Sequence, residues 1–294
     1  MLTELITFCH ELDLLEAHLT ESQHFIDRII IRESRVTYTG WEKPLYFKEN
    51  ESRFSKFNIE YEEIPPDAFE FIPFSYPVEE QRKWFVTRRQ NREKSKSYGW
   101  DGVRKGADYV FVMDTDEIID RNKFHMLEAA FLSKPQYALL RLQTGRYFMN
   151  ARGSKKEEYR ITRGDMPTHF LIKGQPRGTT PTVVGWHFTN CYLTAEEHHL
   201  KAQGIAQSIG YSIETVPTVA EIERDISLRI EPFIHKPMDW AEILSYKDRS
   251  WCPEFVREHP ERFPWYTDDT YLSNSGLGVI ESKFSIPEQL PAYL

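Results

Sequence analysis

Residues 2–32 constrain the fold more than any other stretch of the chain. Apolar residues dominate 2–9, His10 and Glu11 interrupt them, and Leu12, Leu15, Ala17 and Leu19 then recur at helical spacing. Asp13 falls in the first turn of that helix, where a negative charge suits the dipole. Residues 25–32 (FIDRIIIR) follow as a strand rich in β-branched side chains. Strand, helix and strand in such a short span make a βαβ unit, which requires two parallel strands in one sheet. The expectation is an α/β fold with a mostly parallel central sheet flanked by helices.

A further strand, 109–113 (YVFVM), runs straight into Asp114, Asp116 and Glu117. Side chains alternate along an extended chain, so Thr115 leaves the two aspartates on roughly the same side of the strand end. Two carboxylates that close repel each other unless a cation sits between them. Oxygen ligands of this kind suit Mg²⁺ or Mn²⁺, metals that usually share their coordination with substrate phosphates. A solvated turn after a strand carries the same letters, so the tripeptide alone leaves both readings open.

Composition narrows the classes. The chain has 294 residues, 40% hydrophobic and 14% aromatic, enough for one large domain or two small ones with a full core. A formal net charge of -8 disfavours a non-specific nucleic-acid binder. Segment 82–96 (RKWFVTRRQNREKSK) is the basic exception, either a phosphate-facing patch or a solvated helix face. Cys9, Cys191 and Cys252 fit neither a disulfide framework nor a zinc motif, and point to a reducing compartment. The first thirteen residues lack the basic start and apolar core of a secretory signal. No apolar run approaches the ~20 residues that cross a bilayer. A soluble, cytoplasmic protein without a membrane anchor is expected.

Other elements follow from pattern and punctuation. Residues 58–64 alternate as a strand that Pro65 and Pro66 end, and 78–98 read as a long helix capped by Gly99. A helix is expected over 121–131 and a strand over 137–142, with 146–149 extending or pairing with it. The stretch 153–185 reads as loops with short strands, and 183–188 as a return to the sheet. Helices are expected over 194–208, where Thr194 and Glu197 fit a capping box, and over 219–230. Residues 1–230 form one catalytic domain on this reading. Residues 231–294, aromatic and Pro-rich, form a segment packed on it.

Five stretches, in order, resemble glycosyltransferase family 17, the β-1,4-mannosyl-glycoprotein 4-β-N-acetylglucosaminyltransferases. They are ELDLLEAHL (11–19), DRIIIRESRVTYTGWEKPLYF (27–47), RRQNRE (88–93), VFVMDTDEII (110–119) and GWHFT (185–189). Together they span about two-thirds of the chain. Residues 202–212 (AQGIAQSIGYS) depart from the family, which is expected to carry a histidine there. The anchor of animal members is also missing, as in a catalytic domain of microbial or viral kind.

The resemblance implies a GT-A-type nucleotide-sugar domain with the donor at the carboxyl ends of the strands, the general rule for open parallel sheets. It implies Asp116 as the better metal ligand. Asp114 contributes to the metal site or contacts the ribose or donor sugar, and Glu117 supports from behind. His187 is either a third ligand to Mn²⁺ or Mg²⁺ or a core histidine. Arg88 and Arg89 are candidates to meet the diphosphate. Glu11 is a candidate for base or ribose, or else caps the following helix. Trp41 and Trp186 stack on a ring or belong to the core. The implied chemistry is inverting transfer, with a UDP-sugar such as UDP-GlcNAc as donor and a glycan hydroxyl as acceptor. A carboxylate takes the acceptor proton. Asp165, in the loop RGDMPTHF, is the candidate, with Glu196 and Glu197 as competitors. Three alternatives stay open: a non-glycan acceptor such as a modified nucleobase, a non-catalytic carbohydrate-binding protein, and a phosphohydrolase.

Overall fold

Strand β1 (Leu2–Thr7), helix α1 (Leu12–Ser22) and strand β2 (Arg28–Ser34) form the anticipated unit, with β1 and β2 parallel from Thr3–Arg28 to Thr7–Arg32. The structure is a computed structural model. It describes residues 1–263 apart from 75, 78–79, 147, 171–175, 190, 192–193, 210–214, 228–241 and 244–251. Strand β2 starts three residues later than its apolar run, because residues 23–26 turn the chain and the Asp27 amide donates to the Leu2 carbonyl. After the short helix α2 (Tyr46–Glu49), β3 (Ile59–Ile64) adds to β2 in parallel. Helix α3 (Gln81–Ser97) ends at Gly99, whose φ of +55° is a left-handed cap that a side chain would strain. Helix α4 (Trp100–Arg104) then leads into β4 (Tyr109–Asp114), parallel to β1 on its other side. Leu5, Ile30, Val110 and Val112 pack with Trp100 and Val103 on one face of this half-sheet, and Ile6, Ile29, Ile31, Phe111 and Met113 on the other. Burial on both faces is why these strands read as continuous apolar runs.

The other half of the sheet is mixed. Strand β5 (Glu117–Ile119) and helix α5 (Glu128–Phe131) precede β6 (Tyr137–Arg146), β7 (Phe148–Arg163), β8 (Arg177–Thr179) and β9 (Gly185–Thr189). The main order is β3-β2-β1-β4-β7-β6-β9-β5, with β8 beside β6 and β10 (Glu242–Ile243) beside β7. Strand β7 is antiparallel to both β4 and β6. So the mostly parallel sheet that was expected is parallel along β3-β2-β1-β4 and again where β6 meets β9 and β8, and β7 and β5 add the antiparallel pairings. Strand β7 also corrects the loop reading of 153–163. The charged run 155–158 breaks any apolar alternation, and one of its members, Glu157, accepts from Arg141 across the β6 ladder at 2.6 Å. The helix expected over 121–131 is mostly a 3-10 turn at 121–127, followed by α5.

Helix α6 (Ala195–Ile205) begins at the capping box, with Thr194 Oγ1 accepting from the Glu197 amide at 3.2 Å. Helix α7 (Val219–Ser227) follows; 228–230 lie outside the described residues. Of the segment 231–294, only 242–243 and 252–263 are described. There, α8 (Glu254–Glu258) packs Phe255 and Val256, with Phe263, against Leu14, Ala17, Ile118, Trp186 and Phe188. Its first turn is held by Glu21 of α1, which accepts from the Glu254 amide at 2.8 Å and the Arg121 amide at 3.1 Å. Among the described residues no helix is long and apolar enough to cross a membrane.

Candidate active site

A cavity of about 700 Å³ opens at the carboxyl ends of β1, β2 and β4, walled by α3 and α6. The parallel half of the sheet delivers its strand ends there: Thr7 and Glu11 from β1 and the turn after it, Glu33 from β2, Asp114 from β4. Thr115 and Asp116 follow on the turn to β5. This is where an open parallel sheet places a ligand.

The two aspartates have different partners. Asp114 lies among three cations: Arg92, Lys96 at 2.9 Å and Arg160 at 3.3 Å. Thr7 Oγ1 also donates to it at 2.9 Å. Burial pushes its carboxyl up, but Lys96, Arg92 and Arg160 together hold it well below the usual carboxylate range. Lys96 moves down rather than up. It is almost fully buried, and Arg160 and Arg92 repel it while Asp114 attracts it. The ionised state of Asp114 is the firmer of the two, because three positive charges converge on one carboxylate. Asp116 is free of that cluster. Its Oδ2 stands 3.3 Å from His187 Nε2. Burial raises its pKa, and His187 brings it below the ordinary value. His187 moves the opposite way, lowered by burial but raised overall by Asp116.

The turn that carries them is tied down at each residue. The Asp114 amide donates to Glu117 Oε2 at 3.1 Å, and Thr115 Oγ1 donates to the Thr7 carbonyl at 3.2 Å. The Asp116 carbonyl accepts from the Phe188 amide at 2.8 Å. Glu117 is fully buried and accepts from Arg160 at 2.5 Å and Lys156 at 3.3 Å. Glu117 therefore braces the turn from behind and does not line the cavity.

His187 arrives because β9 pairs with β5, setting Glu117 opposite His187 and Ile119 opposite Gly185. A Cβ on Gly185 would meet the Ile118 carbonyl oxygen at 2.1 Å, so only glycine lets the two strands approach. Gly185→Ala is expected to destabilise the fold by about 1–3 kcal/mol, the usual range for overpacking. It is also expected to weaken any ligand binding that needs His187, and paired thermal denaturation and binding measurements check both effects.

The other expected site residues divide. Glu11, Arg88 and Arg89 line the cavity with Asp114, Asp116 and His187. Glu11 is nearly buried, accepts from the His10 amide at 3.0 Å and stands 3.6 Å from Lys201 of α6. The Arg88 guanidinium lies 5.5 Å from the Phe85 ring centre, and its pKa is lowered by burial and by Arg92. Asp165 is elsewhere. It is 61% exposed and paired with Arg163 at 2.6 Å, outside the cavity. Two residues along the chain from its partner, it forms a local surface ion pair. Glu196 and Glu197 lie in the first turn of α6, also outside the cavity wall. Trp186 belongs to the core beside Phe188, and Trp41 stacks on Phe74 at 4.1 Å away from the cavity lining.

Sequence reasoning missed Arg160, Lys96, Lys201 and Glu93. Arg92 and Lys96 are four apart on α3, so helical spacing from Arg88 and Arg89 could have placed them on the same face. Arg160 gave no such signal, because it sits on a strand read as loop. Glu93 lines the cavity and meets His169 at 3.4 Å, whose ring lies 5.5 Å from Trp100 and 4.1 Å from Phe170.

The sequence matches the family described as glycosyltransferase family 17 over residues 2–226. The chain belongs to that family. It is therefore a glycosyltransferase, an enzyme that takes a sugar from a nucleotide-sugar donor to an acceptor. No curated protein matches it. Among solved structures, it is similar to 4-diphosphocytidyl-2C-methyl-D-erythritol synthase from Anaerococcus prevotii DSM 20548, at 12% identity and a TM-score of 0.39, over 71% of this chain and 94% of that one. It is also similar to S. aureus TarS 1–349, at 12% identity and 0.34, over 99% and 98%. The bifunctional IspDF from Campylobacter jejuni matches at 12% identity and 0.32, over 60% and 48%.

Proposed function

We propose that this family 17 enzyme transfers a sugar, N-acetylglucosamine, from its UDP donor to a glycan hydroxyl with inversion and with a divalent cation at Asp116 and His187. The observation that carries the reading is the Asp116–His187 pair, 3.3 Å apart and open to the same cavity as Arg88, Arg89 and Glu11. Among the described residues no three His, Cys, Asp or Glu side chains converge as a metal cage. Asp114 is engaged by its cations. The donor set that fits is thus one carboxylate and one imidazole, leaving further positions for phosphate oxygens, and the imidazole favours Mn²⁺ over Mg²⁺. When bound, such a cation supplies Lewis-acid stabilisation of the diphosphate.

The chain's own groups do the rest. Arg88 and Arg89 meet the diphosphate, supplying charge-assisted donors where negative charge grows as the bond from anomeric carbon to phosphate oxygen breaks. Glu11 and the end of β1 flank the nucleoside. The acceptor oxygen attacks the opposite face of the sugar, and its proton passes to a carboxylate. Glu93 suits that task better than Asp165. It lines the cavity, and its hydrogen bond from His169 outweighs burial and keeps its pKa below the ordinary value, hence ionised at neutral pH. The other cavity carboxylates are held by cations or by His187.

UDP titrated calorimetrically against the protein, with Mn²⁺ and with EDTA, tests the donor and metal parts together. Binding that ignores the metal contradicts the reading. Glu93→Gln is expected to lower kcat by ~10²–10⁴-fold, the usual share of a general base. UDP affinity should hold within about twofold; an unchanged kcat removes Glu93 from the mechanism.

A further inference from the structure

We propose that His18 is a positioning residue for the donor site, reaching from α1 through the core to fix the Thr115 carbonyl at the centre of the Asp114–Asp116 turn. His18 is completely buried. Its Nδ1 lies 3.1 Å from the Thr115 carbonyl oxygen, and its Nε2 lies 3.0 Å from Glu4 Oε1. Both ring nitrogens face acceptors, so only the imidazolium can donate to both. Glu4 supplies the matching charge. It is fully buried in the middle of β1, a central strand, where an ionised side chain is costly unless paired.

The consequence falls on Asp116. Its carbonyl is held by the Phe188 amide, and the peptide before it is held by His18. The backbone of Asp116 is therefore clamped on both sides, which aims its carboxylate at His187. A hydrophobic residue at 18 would suit the packing of α1, whose neighbours Leu14, Leu15, Ala17 and Leu19 are all buried and apolar. Packing alone gives no reason to bury a Glu–His ion pair beneath this turn. Orientation of the turn does.

This inference rests on the donor reading above, and the experiment separates the two. The probe is UDP with Mn²⁺, measured by calorimetry beside thermal denaturation. Asn at 18 sets its amide near the Nδ1 position and can still donate to Thr115. Gln sets its amide near Nε2 and reaches only Glu4. His18→Asn is expected to keep UDP affinity within about threefold while lowering the melting temperature. His18→Gln is expected to melt closer to wild type but bind UDP about 10- to 100-fold more weakly, the usual loss when the support of a ligand residue is removed. Should either variant fail to fold, adding Glu4→Leu to both removes the orphaned carboxylate, and the same order of affinities is expected. If affinity simply follows stability, or both variants bind as wild type does, His18 is only a core residue. If wild type binds no UDP, the donor reading fails instead.

Discussion

Asp116→Ala is expected to reduce glycosyl transfer by ~10²–10³-fold, the loss seen when one preorganised group facing developing charge is removed. Asp116 combines partial burial, a depressed pKa and a partner, His187, that is itself a metal ligand type. Truncation removes the carboxylate that faces His187 and, on the proposed reading, the group that organises the diphosphate. The fold should tolerate the change, because the Asp116 carbonyl keeps its bond to the Phe188 amide. Melting within a few degrees of wild type, together with lost Mn²⁺-dependent UDP binding, is the expected pair of results. Retained transfer would move the chemistry away from this turn.

Asp114→Ala should fail differently. It leaves Arg92, Lys96 and Arg160 converging on nothing, with Lys96 only 1% exposed. Removing one partner from a buried charge cluster costs about 3–5 kcal/mol. In a domain of this size that is roughly 6–20 °C of melting temperature. Activity should be lost together with stability. Asp114→Asn keeps an acceptor for Thr7 but not the charge, and should recover part of the stability. The pH dependence follows from the same contacts. The folded pKa of Asp114 lies below its unfolded value of about 3.9. Its contribution is therefore present above that value and lost as pH falls through the folded pKa. Asp114→Asn should flatten the acid side of the stability curve, which denaturant titrations across that range can measure.

These two outcomes separate residues that sequence pattern had joined. Alternation along β4 put Asp114 and Asp116 on one side, and both do line one cavity. What alternation could not show is the company each keeps. Asp114 is claimed by α3 and β7, elements that reach it from 18 residues before and 46 residues after it in sequence. Asp116 meets β9 because the glycine at 185 permits a close crossing, a contact that only the ladder reveals. The βαβ unit and β4 were legible because burial on both faces writes itself as apolar runs. Strand β7 was not, since a run of charged residues at 155–158 replaces apolar alternation. Asp165 misled because the arginine two residues before it in the sequence was not weighed as its partner, and their surface ion pair shows only once the end of β7 is placed. His18 gave no signal either, because a histidine on an apolar helix looks the same whether it serves packing or a turn across the core.

The central claim is donor chemistry at the Asp116 turn, and product analysis with a panel of UDP-sugars tests it most directly. The protein incubated with each donor and Mn²⁺ is expected to consume UDP-GlcNAc fastest, release UDP in step, and stop when EDTA is added. Equal turnover of every donor, or turnover indifferent to chelation, would contradict it.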